Sequence, residues 1–236
     1  MEFSEWEPVY EAILADFGFD RAADERARDL ATRFATPVDF DALATDVGVA
    51  GGGTAAIVGA APSLPAELGT FDPETVDAVF AASTAGDTLR DVDLPVDCLV
   101  TDLDKNPETA ARLTREGTRV AAHAHGDNVE LIRRFLPEFD AASTLVTTQA
   151  EPVDAVYNPG GFTDGDRAAF LADVLGAGEL RFVGWEFDDP DVGPQKARKL
   201  RWAERLLRWL EQRRDERFTV LDGRRNSIEP VPDTGG

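Results

Sequence analysis

Apolar residues recur at helical spacing at the start of the chain, where Trp6, Val9, Tyr10, Ile13, Leu14 and Phe17 form one stripe that stops at Gly18. This stripe predicts an amphipathic helix packed against the rest of the molecule. Residues 21–34 predict a second, more polar helix, and residues 37–46 a short third one. Gly51-Gly52-Gly53 then breaks the chain, so a soft boundary is expected there, between a helical segment (1–50) and a second domain (51–229).

From Thr54 the pattern changes period. Short apolar runs at 54–58, 78–82, 96–100, 118–122, 144–148, 153–157 and 180–184 read as buried strands, and 218–221 as an edge strand. Helical patterns at 65–68, 107–116, 128–136, 164–175 and 195–214 separate or follow them, and 230–236 reads as a frayed tail. Alternation of this kind predicts an α/β, Rossmann-like domain whose mainly parallel sheet carries helices on both faces. The carboxyl ends of the strands in such a sheet line one crevice. Every polar knot of the chain falls at such an end: 59–63, Ser83-Thr84, 101–105, 123–128 and 160–167.

Charge narrows the setting. The 45 acids exceed the 24 bases by 21, spread along the whole chain, and the bases are 21 Arg against 3 Lys. Dispersed acids keep a surface hydrated where salt shortens the screening length, which points to the cytosol of a halophile. Such a chain offers no basic face to nucleic acid or to an anionic membrane. The acidic N-terminus and the lack of a long apolar run predict a cytoplasmic protein, and homo-oligomerisation stays open. Cys98 lies inside an apolar run and reads as a small buried hydrophobe.

The knots carry the candidate chemistry. Asp102 and Asp104, two residues apart at a strand tip, can turn both carboxylates to one face, as Mg²⁺ on nucleotide phosphates requires; the bland rival is a pair of solvated acids. His123 and His125 are the only histidines and share one motif with Asp127 and Asn128. A binuclear zinc site fails on counting, since it needs further histidines. Gly59-Ala60-Ala61-Pro62-Ser63-Leu64 reads either as a phosphate loop or as an ordinary strand-to-helix turn. Thr163-Asp164-Gly165-Asp166-Arg167 combines a helix cap with an arginine suited to bidentate phosphate binding, and the scarce Lys105, Lys196 and Lys199 suit phosphate as point charges.

Taken together, 59–64, 101–104, 123–128 and 161–167 resemble the archaeal 6-hydroxymethyl-7,8-dihydropterin pyrophosphokinases over residues 50 to 205, and the Asp-x-Asp motif is similar to that of thiamine pyrophosphokinases. The chain departs from the family in Lys105-Asn106, where Gly or Ser is common. The resemblance implies a Mg²⁺-dependent transfer of diphosphate from ATP to the pterin hydroxymethyl group, releasing AMP. On that reading Asp102 and Asp104 hold the metal, while Arg167, Lys196 and Lys199 neutralise the phosphates. His123, His125 or Asp127 orients or deprotonates the hydroxyl. Gly59, Pro62, Ser63, Ser83 and Asn128 fall to the nucleotide, and Phe162, Thr163, Asp164, Asp166 and Trp185 to the reduced pterin. A nucleotide-sugar glycosyltransferase or a non-catalytic nucleotide-binding module would use the same features.

Overall fold

The computed structural model describes residues 1–232, so the expected tail lies outside the described residues from residue 233 onward. Seven runs read as strands form β1 (Thr54–Val58), β2 (Ala78–Ala82), β3 (Cys98–Thr101), β4 (Arg119–Ala124), β5 (Thr144–Thr148), β6 (Val156–Tyr157) and β7 (Glu179–Val183). They make one parallel sheet in the order β6-β5-β4-β3-β2-β1-β7. The inner strands β1 to β3 are near-continuous apolar runs because both faces of the sheet are covered there, whereas the edge strand β7 exposes Glu179 and Arg181. Alternate residues therefore leave in opposite directions. Ile57, Phe80 and Val100 join one buried cluster, while Val58, Val79 and Leu99 join another.

Nine helices flank the sheet among the described residues: α1 (Phe3–Phe17), α2 (Arg21–Ala31), α3 (Phe40–Asp46), α4 (Leu64–Leu68), α5 (Ala85–Asp91), α6 (Pro107–Arg115), α7 (Val129–Phe135), α8 (Asp164–Val174) and α9 (Pro194–Arg213). None is long and apolar enough to cross a membrane. The predicted stripe of α1 is buried at Trp6, Val9, Tyr10, Ile13 and Leu14, and these residues share a core with Ile57, Phe80 and the apolar face of α9. Ala27 and Ala31 of α2 pack with Leu103, Ala122 and Val146 in a smaller cluster under the tips of β3 to β5. The helical segment thus packs directly beneath two of the polar knots.

Two local expectations change, and one helix, α5, is added to them. Residues 218–221 form a 3-10 turn, Thr219–Leu221, in place of an edge strand. The Phe218 N–H donates to Glu211 Oε1 (2.8 Å) and its carbonyl accepts from Arg225 Nη2 (2.6 Å), so side chains take the backbone groups that a strand ladder would have used. β6 keeps only the last two residues of 153–157, because Val153 and Val156 bond each other across a turn with Asp154 at φ 53°. Helix α5 lacks an apolar period in the sequence; its buried residues are Ala85, Gly86 and Leu89, and Gly86 lies against Leu99 of β3.

Candidate active site

The strand order reverses beside β1, which has β2 on one side and β7 on the other. Diverging connections leave a crevice at the carboxyl ends of the strands there. A cavity of about 580 Å³ fills it, lined by Gly59, Pro62, Ser83, Asp102, Asp104, Lys105, Thr163, Asp164, Trp185, Lys196 and Lys199, among others.

The loop after β3 explains how two acids reach one face. Leu103 is left-handed (φ 69°) and buried beneath α2, with its N–H donated to Thr101 Oγ1 (3.0 Å), so it anchors the loop between Asp102 and Asp104. The Asp104 N–H in turn donates to Asp102 Oδ1 (3.2 Å). His125 Nε2 stands 3.6 Å from Asp102 Oδ2, while His125 Nδ1 lies 3.4 Å from the Asp127 N–H. That pattern puts the imidazole proton on Nε2, facing the carboxylate. Burial works against a charge on Asp102, but the His125 hydrogen bond, the Arg167 charge and a hydrogen bond from the Asp104 side chain outweigh it and hold the carboxyl well below the usual carboxylate range. Asp104 moves the opposite way, pushed up by burial and by the Asp102 charge, with Lys105 Nζ 3.3 Å from its Oδ2.

Across the cavity, α8 begins with a reciprocal cap. Asp166 accepts from the Thr163 N–H (3.0 Å), from Thr163 Oγ1 (2.6 Å) and from the Phe162 N–H. One turn on, Arg167 is buried and donates through Nη1 to Asp164 Oδ1 (3.0 Å) and through Nη2 to Gln149 Oε1 (3.2 Å). Burial, reinforced by the Asp102 charge, raises Asp164 to about 7 against the pull of Arg167. An acid-rich rim with one embedded guanidinium and two lysines on α9 can hold a cation together with polyphosphate.

The family model for 6-hydroxymethylpterin diphosphokinase MptE-like proteins matches residues 39–192, well over half of the chain. The chain belongs to this family. Relatives named 6-hydroxymethyl-7,8-dihydropterin pyrophosphokinase include one from Methanothermobacter thermautotrophicus, 38% identical over 92% of this chain and 99% of the relative. Another, from Pyrococcus furiosus, is 34% identical over 89% of this chain and 95% of its own length. A third, from Methanocaldococcus jannaschii, is 28% identical over 92% of this chain and 99% of the relative.

Within this MptE-like chain the expected residues divide into cavity and scaffold. Gly59, Pro62, Ser83, Asp102, Asp104, Thr163, Asp164, Trp185, Lys196 and Lys199 line the cavity. His123, His125, Asp127, Asn128, Arg167, Phe162, Asp166 and Ser63 stand behind or beside it. His123 is buried with Nδ1 3.0 Å from Thr147 Oγ1; burial, with Arg167 and His125 adding to it, drives its pKa well below the ordinary value. The Asn128 amide donates to the carbonyls of Asp102 and His123 (both 2.7 Å), tying the β3 and β4 tips together and leaving no amide hydrogen for a nucleotide. Asp166 is taken up by its cap, and Phe162 packs on Phe17 with Lys199 Nζ 5.8 Å from its ring centre. The 59–63 loop is an ordinary turn in one respect: the Gly59 and Ala61 amides already donate to Val183 and Gly184 carbonyls. A Cβ on Gly59 would lie 2.6 Å from the Gly184 carbonyl oxygen, so close passage of the β1 and β7 tips accounts for that glycine. Sequence reading passed over Gln149 and Asp24, whose only signal was a polar residue at one more strand tip and one acid among many.

Proposed function

We propose that this chain transfers diphosphate from ATP to the hydroxymethyl group of 6-hydroxymethyl-7,8-dihydropterin, releasing AMP, with Mg²⁺ held by Asp102 and Asp104, in the cytosol of a halophile. One observation carries the reading: two carboxylates at the β3 tip and two lysines of α9 face one cavity at the point where the strand order reverses. The named relatives supply the substrate class. The donor set fits the ion, because hard carboxylate oxygens suit Mg²⁺ and one or two of them suffice when phosphates complete the shell. When bound, the ion would neutralise phosphate oxygens and orient the chain of phosphates for in-line displacement.

The protein's own residues have separable tasks. Lys196 and Lys199 bring positive charge to the phosphates, and Trp185 gives the pterin an aromatic wall. The hydroxyl oxygen bonds to the β-phosphorus while the bond from that phosphorus to the α,β-bridging oxygen breaks, and AMP leaves with it. The proton of the hydroxyl needs an acceptor. His125 is poorly placed for it, with Nδ1 facing the Asp127 N–H and its Nε2 proton facing Asp102. Asp164 is the better acceptor, since it lines the cavity, engages Arg167 through Oδ1 and titrates near 7.

The test is an assay with ATP and the reduced hydroxymethylpterin that resolves AMP from ADP. We expect AMP and pterin diphosphate in equal amounts, and a loss of roughly 10² or more in turnover for Asp102→Asn or Asp104→Asn. Release of ADP would overturn the diphosphate assignment. An active double Asn variant would overturn the metal site, and ATP binding without turnover would favour a nucleotide-binding module.

A further inference from the structure

Asp24 is an acid in the first turn of the charged helix α2, yet it is 4% exposed. A buried carboxylate is tolerable only when its oxygens are hydrogen-bonded, and the donors that satisfy Asp24 are informative. Oδ1 accepts the Gly126 N–H (2.7 Å). Oδ2 accepts Gln149 Nε2 (2.7 Å) and the Tyr10 hydroxyl (2.8 Å). Each oxygen opens one arm toward the cavity. Along the first, Gly126 follows His125 directly, and His125 faces Asp102 at 3.6 Å. A Cβ on Gly126 would meet Ala23 Cβ at 2.7 Å, so α2 touches this turn backbone to backbone. Along the second, Gln149 uses its amide on Asp24 and its oxygen on Arg167 Nη2 (3.2 Å), and Arg167 Nη1 reaches Asp164 Oδ1 (3.0 Å).

We infer that Asp24 and Gln149 are positioning residues of the reaction: one carboxylate of α2 fixes both the His125–Asp102 side and the Arg167–Asp164 side of the site. The inference rests on the diphosphotransferase reading of the cavity. It also gives the N-terminal helices a task. The span matched by the family model starts at residue 39, so the residue that joins the two arms lies outside it. Gln149 suits the bridging place because an amide is a donor at one atom and an acceptor at the other, as a carboxylate on one side and a guanidinium on the other demand.

The experiment compares kcat, KM for ATP and KM for the pterin in variants whose near-ultraviolet circular dichroism matches the wild type. Gln149→Leu cuts the Arg167 arm and leaves the Gly126 bond; kcat should fall about 10- to 100-fold with both KM values within about twofold, as for an outer-shell partner. Asp24→Asn should lose at least as much. The double variant Asp24→Asn, Gln149→Glu exchanges amide and carboxylate, so that residue 24 still accepts from Gly126 and now donates to residue 149, which keeps its acceptor for Arg167. Its kcat should return to within about threefold of the wild type, a recovery that independent losses of stability would not produce. Wild-type kcat in Gln149→Leu, or a double variant as slow as Asp24→Asn, would overturn the inference. A wild type that releases no AMP removes the functional reading and this inference together, whereas an active wild type with equally active variants removes this inference alone.

Discussion

Ser83 and Leu103 hold left-handed backbone (φ 51° and 69°) at the tips of β2 and β3, and both belong to loops that border the cavity. Such a conformation costs a non-glycine residue on the order of 1 kcal/mol or more and persists where surrounding contacts enforce it. Leu103 is buried in one cluster with Ala27 and Ala31 of α2, Ala122 and Ala124 of β4 and Ile132 of α7, so the geometry of the Asp102–Asp104 pair depends on packing that includes a helix far away in sequence. Lys196 and Lys199 are simpler cases, standing one turn apart on α9 and facing the same cavity. Lys196→Ala or Lys199→Ala should raise the KM for ATP while leaving the fold intact, each by the equivalent of about 1.5 to 3 kcal/mol for a charge-assisted contact. Wild-type kinetics in both variants would return them to the role of solvating a helix. The carboxylate pair and the lysines were legible in the sequence because strand ends are where an open parallel sheet holds its ligands and because lysine is scarce here. Asp24 and Gln149 were not, since Asp24 meets Gln149 and Gly126 across 125 and 102 residues of chain and acids crowd the chain everywhere.

At the scale of elements, Glu211 near the end of α9 shows why 218–221 turns instead of pairing. Its carboxylate is 2% exposed and gathers Arg208, the Arg225 guanidinium (Nε at 3.0 Å) and the Phe218 N–H (2.8 Å). Burial opposes its charge, but the Arg225, Phe218 and Arg208 hydrogen bonds win and hold the carboxyl below its ordinary 4.5. The folded state therefore binds this proton less readily than the unfolded chain, so the contribution is complete above about pH 4.5 and is lost as pH falls through the folded value. Glu211→Gln should lower stability at pH 7 by roughly 1.5 to 3 kcal/mol, because the partly exposed Arg208 and Arg225 then lose their charge-assisted bonds to it while Arg225 keeps Asp222. Chemical denaturation of both proteins at pH 7 and pH 3 checks this; a gap of equal size at both values would deny Glu211 the role. Strands with two covered faces declared themselves by continuous apolar runs. A helix such as α5, held by Ala85, Leu89 and one close glycine, has too little periodic surface to be seen, and a segment whose backbone is satisfied by distant side chains cannot be told from a strand by its apolar content.

For the molecule as a whole, the surplus of 21 acids cannot be relieved by pairing, because even if all 24 basic residues met a partner the remainder would still face one another. Arginine pairs such as Arg21 with Glu7 and Arg224 with Glu204 use up the basic side chains locally, which leaves the net repulsion to be screened by solvent ions. Screening at molar salt shortens the Debye length to about 3 Å, against about 10 Å at 0.1 M, so the compact state should lose stability as salt is withdrawn. Cys98 offers a reporter for that loss. Its thiol is 3% exposed in β3, and burial pushes it up to about 12, so at pH 8 it reacts with an alkylating reagent only when the sheet opens. As Cys98 is the single cysteine of the chain, labelling reads one event. We expect labelling to be negligible at about 2 M KCl and to accelerate at least tenfold near 0.1 M, equivalent to ~1.4 kcal/mol of opening free energy. A rate that is flat across this range would mean that the acidic surface does not govern stability, and the assignment to a halophile's cytosol would lose its physical basis.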